Sequence, residues 1–143
     1  SYQDDPDLIF ADIHQDGQTI YPGTGHTHEI GTGEAIGTKV NIPLSIGAND
    51  EDFKVAWQDV ENHLNQYQPE FIILQCGADS LSNDPITQME LSESSHAMAA
   101  SSLCRIANSH CDGKLIALGG GGYNLENIAK AWTAVVQSLV DEL

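Results

Sequence analysis

Leu115-Ile-Ala-Leu-Gly-Gly-Gly-Gly-Tyr-Asn124 is the stretch on which the reading of this chain turns. Its first four residues form a short apolar run of the kind a buried strand carries. The run stops abruptly at four consecutive glycines. From Leu125 an amphipathic pattern continues to Leu143 and predicts a helix. Glycine loses more conformational freedom on folding than any other residue, so four in a row are tolerated where backbone must take φ > 0 or approach something closely. Between a strand and a helix they fall at the carboxyl edge of a sheet, where open α/β folds bind ligands. Tyr123 is the one reactive side chain presented there. A packed tyrosine on a glycine-rich turn is the plainer alternative.

Outward from that stretch the same arrangement repeats. Phe71-Ile-Ile-Leu-Gln75 is the strongest strand pattern in the chain, and it too ends in a small-residue turn, Cys76-Gly-Ala-Asp79. Between these two strands, Ser92 with Ser95 caps a helix running to about Ser109, with Met98, Leu103 and Ile106 inward. Cys111-Asp-Gly113 is a tight turn back into sheet. Upstream, residues 51–67 predict a helix capped by Asn49 or Asp50 and ended by Pro69, with Phe53, Ala56, Trp57, Val60 and Leu64 on one stripe. Two more strands precede it. Residues 8–13 are mostly apolar and so expected to be buried on both faces, and residues 38–44 have Pro43 placing their end near a sheet edge. The order strand, strand, helix, strand, helix, strand, helix predicts an α/β fold, a mostly parallel doubly wound sheet with flanking helices. Asp79 and Tyr123 then share one carboxyl edge. A carboxylate and a phenol at a glycine-lined edge point to metal-assisted hydrolysis of a carbonyl compound.

Composition narrows the classes. The 143 residues make one domain at most, and 41% hydrophobic content with two tryptophans supports a folded globule. Five basic residues against 21 acidic ones give a net charge of −16, which excludes a nucleic-acid or anionic-membrane partner for want of a basic patch. No run approaches a membrane span and no signal peptide opens the chain. Cys76, Cys104 and Cys111 are odd in number and lack metal-type spacing, as expected of reduced thiols in a cytoplasmic protein. The first residue is Ser1 rather than Met, and helix pattern runs up to Leu143. A piece of something longer is therefore expected.

Three motifs in order carry a resemblance: Tyr21-Pro-Gly-Thr-Gly25; Leu74-Gln-Cys-Gly-Ala-Asp79 with Asp84-Pro85; and Leu118-Gly-Gly-Gly-Gly-Tyr-Asn124 with Ala131-Trp132-Thr133. Together they resemble the zinc-dependent histone deacetylases and their acetoin-utilisation and acetylpolyamine amidohydrolase relatives. The resemblance implies a deacetylase/arginase-like fold of which residues 1–143 are the C-terminal part. It implies that Asp79 is the third zinc ligand and that Tyr123 hydrogen-bonds the substrate carbonyl and the oxyanion that follows. Tyr21, Ile86, Gly121 and Gly122 match positions lining the acyl-lysine tunnel. Two structural sites for a monovalent cation, potassium or sodium, are implied, held mainly by backbone carbonyls. Asp12 and Ile13 match the one near the zinc, where relatives usually carry serine in place of Asp12. Tyr2, Asp5, Leu8 and Thr38 match the peripheral one.

The family's other two zinc ligands come from an Asp-x-His motif, and two histidines serve as general base and its electrostatic partner. None of the six histidines here matches them by motif. Catalytic zinc needs three protein ligands and a water, so no competent deacetylase is expected from these residues alone. The expected substrate is acetyl-lysine or a small acylated amine, with the missing N-terminal half or a second copy as partner. The alternative is a stand-alone, non-catalytic α/β module that dimerises to cover the strand edge and apolar face left open by half a sheet.

Other candidates carry blander expectations. His26-Thr-His28 reads as a solvated loop rather than a metal chelate, and His14 as structural. His63, His96 and His110 are expected to face solvent. Cys76 reads as a packing thiol, Trp57 and Trp132 as core, and Asp50-Glu-Asp52 as charge that favours the helix dipole.

Overall fold

A computed structural model describes residues 2–142. Four parallel strands and three long helices follow in the expected order: β1 (Phe10–Gln15), β2 (Lys39–Leu44), α1 (Asp50–Tyr67), β3 (Ile72–Gln75), α2 (Glu93–His110), β4 (Leu115–Leu118) and α3 (Leu125–Asp141). A single 3-10 turn, Gly33–Ala35, breaks the long loop after β1. The last residue of the predicted final helix, Leu143, lies outside the described residues.

The strands form two parallel pairs. β1 runs beside β2 with Phe10 opposite Lys39 and Gln15 opposite Leu44, and β3 beside β4 with Ile72 opposite Leu115 and Gln75 opposite Leu118. One core serves both pairs. Trp57 and Val60 of α1 and Ala99, Leu103, Ile106 and Ala107 of α2 meet Ile72, Leu74 and Leu115 of one pair and Ala11, Ile13 and Ile42 of the other. Burying a large apolar side chain contributes about 1.5–3 kcal/mol, so this shared cluster holds the pairs to the helices.

The helix ends form as the sequence dictates. Asn49 accepts from the backbone N–H groups of Glu51 and Asp52, while Asp52 accepts from the N–H of Asn49, a reciprocal capping box. Gln68 closes α1 in the left-handed region, and Pro69 follows. Ser92 caps α2 through Ser94 N–H. Ser95 does not cap: its hydroxyl donates to Asp50, at 2.6 Å.

Two expectations about the strands are corrected. β1 is shifted to Phe10–Gln15 and is not buried on both faces: Phe10 is exposed and residues 11–14 are half-buried. The pairing of β1 with β2 alone, among the described residues, leaves it only partly covered. Likewise Ile73, Ile116 and Leu118 are 65, 48 and 50% exposed on one face of the β3–β4 pair, because all the packing falls on the opposite face.

Candidate active site at the carboxyl ends of β3 and β4

The turns after β3 and β4 are stitched to each other by backbone. Cys76 N–H continues the ladder to Leu118 O at 2.9 Å, and Ala78 N–H donates to Gly121 O at 2.7 Å. That close approach explains the glycines. A Cβ on Gly120 would stand 1.8 Å from the Gln75 side-chain nitrogen, one on Gly121 2.2 Å from Asp79 Oδ2, and one on Gly119 2.6 Å from the Trp132 ring. Only Gly122, at φ +133°, needs glycine for its backbone angle. Three of the four are there for space.

Asp79 therefore lies with its carboxylate directly against the Gly121 backbone. Its own carbonyl accepts from the Thr87 hydroxyl, but no other described residue donates a hydrogen bond to the carboxylate. Burial pushes its carboxyl above the usual aspartate range, and the charge of Asp84 adds to that. A desolvated carboxylate bonded only by its own backbone N–H is suited to a cation.

Asp84 is the residue that organises the rest. It is buried at 8% exposure. Its Oδ2 accepts from Tyr123 N–H at 2.9 Å, while Oδ1 accepts from Ile86 N–H at 2.8 Å and Thr87 N–H at 3.3 Å. One carboxylate thus fixes the backbone of both the candidate catalytic tyrosine and Ile86, the residue expected to line a tunnel. Tyr123 is 59% exposed and Ile86 57% exposed, so both side chains project outward from this scaffold. From α3, Asn127 donates to Ser82 O at 3.0 Å and Trp132 Nε1–H donates to Cys76 O at 3.0 Å. Trp132 was expected in the core; it is 37% exposed, because its indole braces the glycine turn instead.

The three histidines expected to face solvent are instead buried or half-buried and bonded to other segments. His96 is buried, with Nε2 2.8 Å from Gly77 O under the Asp79 turn. His63 is half-buried, with Nε2 3.1 Å from Thr38 O, and burial lowers its pKa. His110 is half-buried, 2.9 Å from Asn65 Oδ1. Cys76 is half-buried, its thiol pKa pushed up by burial and its Sγ donating to Leu118 O, as suits a packing thiol. His26 and His28 stack at 5.4 Å in their loop, where Glu29 accepts from Gly25 N–H and His26 N–H.

The carboxyl end of β1 adjoins this edge through a pair of amides. Gln15 Nε2 donates to Gln88 Oε1 at 2.9 Å, and Gln88 N–H donates back to Gln15 Oε1 at 2.7 Å. Tyr21 follows in the loop beyond β1, 93% exposed, its peptide bond to Pro22 cis. No hydrogen bond ties its side chain to the Asp79–Tyr123 cluster among the described residues. Asp12 and His14 alternate onto one side of β1, and the Asp12 carboxylate lies 3.0 Å from His14 Nδ1, whose pKa it raises. His14 Nε2 reaches Gly25 O at 2.9 Å, tying the tyrosine loop back to the strand. Ile13 packs its side chain into the shared core.

Of the peripheral set, Asp5 O, Leu8 O and Thr38 Oγ1 all accept from the Lys39 ammonium, Asp5 and Thr38 at 2.8 and 2.9 Å. Tyr2 is 65% exposed and its carbonyl accepts from Asp5 N–H at 3.4 Å.

Among the described residues no three His, Cys, Asp or Glu side chains come together as a metal-binding group. Asp79, the expected zinc ligand, therefore has no two further such side chains beside it among the described residues, short of the three that catalytic zinc takes.

Residues 1–139 match the histone deacetylase domain family. Over 126 residues the chain is 38% identical to a probable deacetylase of Archaeoglobus fulgidus, covering 87% of this chain and 34% of that protein. It is 33% identical over 137 residues to the acetoin utilization protein AcuC of Bacillus subtilis, covering 94% and 35%. Among solved structures, an HDAC homolog from Aquifex aeolicus superposes with a TM-score of 0.87 at 30% identity, over 98% of this chain and 37% of that one. The histone deacetylase Clr3 does so with a TM-score of 0.89 at 32% identity, over 98% and 24%. The chain spans about a third of the length of these curated relatives.

Proposed function

The chain belongs to the histone deacetylase domain family, and from that we propose that it forms one wall of a zinc-dependent amidohydrolase site acting on acetyl-lysine or a small acylated amine. A single observation carries the reading. At the carboxyl ends of adjacent parallel strands, a half-buried carboxylate to which no other described residue donates is pressed onto Gly121, and a tyrosine's backbone is fixed nearby through Asp84.

In this reading Asp79 gives one carboxylate to the metal. Zinc, when bound, polarises the amide carbonyl and lowers the pKa of a bound water. The Tyr123 phenol donates its O–H to the carbonyl oxygen, a bond that strengthens as the oxygen becomes anionic. Gly121 and Gly122 leave room for a narrow acyl chain, with Tyr21 and Ile86 as apolar surface along it. Asp12 and Ile13 hold a potassium or sodium ion near the metal. The partner is the remainder of the family's domain, which brings the other ligands and the base. The three free cysteines suit a cytoplasmic setting, and no described helix is long and apolar enough to cross a membrane.

The test is zinc affinity and acetyl-lysine deacetylation by the 143-residue chain, alone and together with the preceding half of the family's domain. Weak zinc binding and no turnover alone, with both restored on complementation, are expected. Robust zinc-dependent turnover by the chain alone overturns the claim that its site is incomplete.

A second reading, a non-catalytic module that assembles with a second copy, is favoured by the apolar face at Ile73, Ile116 and Leu118. Complementation that restores no activity, together with a stable dimer by light scattering, would establish it.

A further inference from the structure

Lys39 is the first residue of β2 and 4% exposed, one of only five basic residues in the chain. A buried ammonium ordinarily requires a carboxylate partner. Among the described residues Lys39 has none within ion-pair distance. Its three N–H donors meet three neutral oxygens instead: the carbonyls of Asp5 and Leu8 and the hydroxyl of Thr38. That is the coordination a potassium ion seeks, a desolvated single positive charge ringed by carbonyl-type oxygens.

These acceptors belong to the segment matched to the family's peripheral monovalent-cation site. The residues present do not fit a free ion there. Two of the carbonyls are taken by the ammonium. The Thr38 carbonyl accepts from Phe10 N–H at 2.9 Å and lies 3.1 Å from His63 Nε2. The Tyr2 carbonyl already accepts from Asp5 N–H. A free cation at these oxygens would also sit against the ammonium, a like charge in a desolvated place.

We propose that in this chain the Lys39 ammonium replaces the peripheral monovalent cation. The tethered charge clamps the segment around Asp5 and Leu8 onto β2, where an ion would otherwise be bound from solution. The clamp is then indifferent to the potassium concentration, and a neutral side chain at position 39 opens a true ion site.

Crystals of the full chain soaked in thallium(I), a heavy stand-in for potassium, test this by anomalous scattering. The wild type is expected to show no thallium between the Asp5 and Leu8 carbonyls, whereas Lys39→Ala shows it there. Melting at constant ionic strength, potassium against choline chloride, gives the solution counterpart. In choline, Lys39→Ala melts on the order of 5 °C below wild type, and potassium restores most of the difference in a saturable way. Lys39→Met fills the space with neutral atoms and stays low in both salts. Any response of the Asp12–Ile13 region to potassium is common to all three proteins and cancels. Thallium bound at these carbonyls in the wild type overturns the proposal, and that result stands even if the alanine variant does not fold. So does a folded Lys39→Ala that takes up no thallium and responds to potassium as the wild type does.

Discussion

Asp79 and Tyr123 stood out in the sequence because each closes a strand at a small-residue turn, whereas Asp84, which anchors the Tyr123 backbone, entered only within a motif and with no role of its own. An aspartate between Asn83 and Pro85 has the composition of a turn, and a turn aspartate ordinarily bonds its own neighbours. Asp84 does so through Ile86 and Thr87, yet its second oxygen goes to Tyr123, 39 positions away. Nothing local in the sequence marks that long-range bond. Asp84→Asn keeps one acceptor oxygen of the two, so either the Tyr123 N–H or the Ile86 and Thr87 N–H groups lose their acceptor. We expect a loss of about 1–3 kcal/mol in thermal or urea denaturation, with m unchanged. His96 was missed for a similar reason: an isolated polar residue on a helix reads as solvent-facing. The small neighbours Ser95, Ala99 and Ala100 were the available sign that backbone comes close there. Gly121→Ala should be as damaging as its 2.2 Å contact with Asp79 Oδ2 implies. Overpacking costs about 1–3 kcal/mol, and displacement of the carboxylate should weaken zinc binding in the complete domain. A variant with wild-type melting and wild-type zinc affinity would show that the glycine is not holding Asp79 in place.

At the level of elements, the helices were the most legible parts. The capping box at Asn49 and the apolar stripe of α1 are local signals, and both are realised. Strand ends were harder. The first strand was expected to end at Ile13, but the polar side chains of His14 and Gln15 are bonded inside the structure, to Gly25 and Gln88, and β1 continues through them. Asp50 shows how one residue can join elements the sequence keeps separate. It looked like helix-dipole charge, but its carboxylate accepts from Ser92 N–H, Ser92 Oγ and Ser95 Oγ, locking the start of α1 to the start of α2. Burial on its own would raise its carboxyl pKa. The serine hydrogen bonds outweigh that and hold it below the ordinary aspartate value of 3.8. A depressed acid stabilises the fold fully above its unfolded-state pKa and ceases to do so as pH falls through the folded one. Asp50→Asn should therefore melt lower than wild type at pH 7, and the gap should close in the most acidic range where both remain folded. A pH-independent gap would mean that the ionised carboxylate is not what joins the helices.

For the molecule as a whole, the parallel α/β order was legible because each strand and helix has its own periodicity. The division into two strand pairs was not, because pairing depends on which chain segments lie side by side. The apolar strand sequences of β3 and β4 are of the kind used when both faces are covered, and here one face is open. We expect concentration-dependent association by light scattering, reduced by the double substitution Ile73→Lys and Ile116→Lys. Equal scattering by the two proteins would place the contact elsewhere. The proposal that this chain carries the oxyanion-stabilising wall of an amidohydrolase rests on the family assignment, the half-buried Asp79 and the anchored Tyr123. The most direct test is kcat for acetyl-lysine hydrolysis by the complete zinc-loaded domain carrying Tyr123→Phe. The expected result is a fall of about 100- to 1,000-fold, with KM and zinc content little changed. An unchanged kcat would contradict the assignment of Tyr123, and with it the central claim.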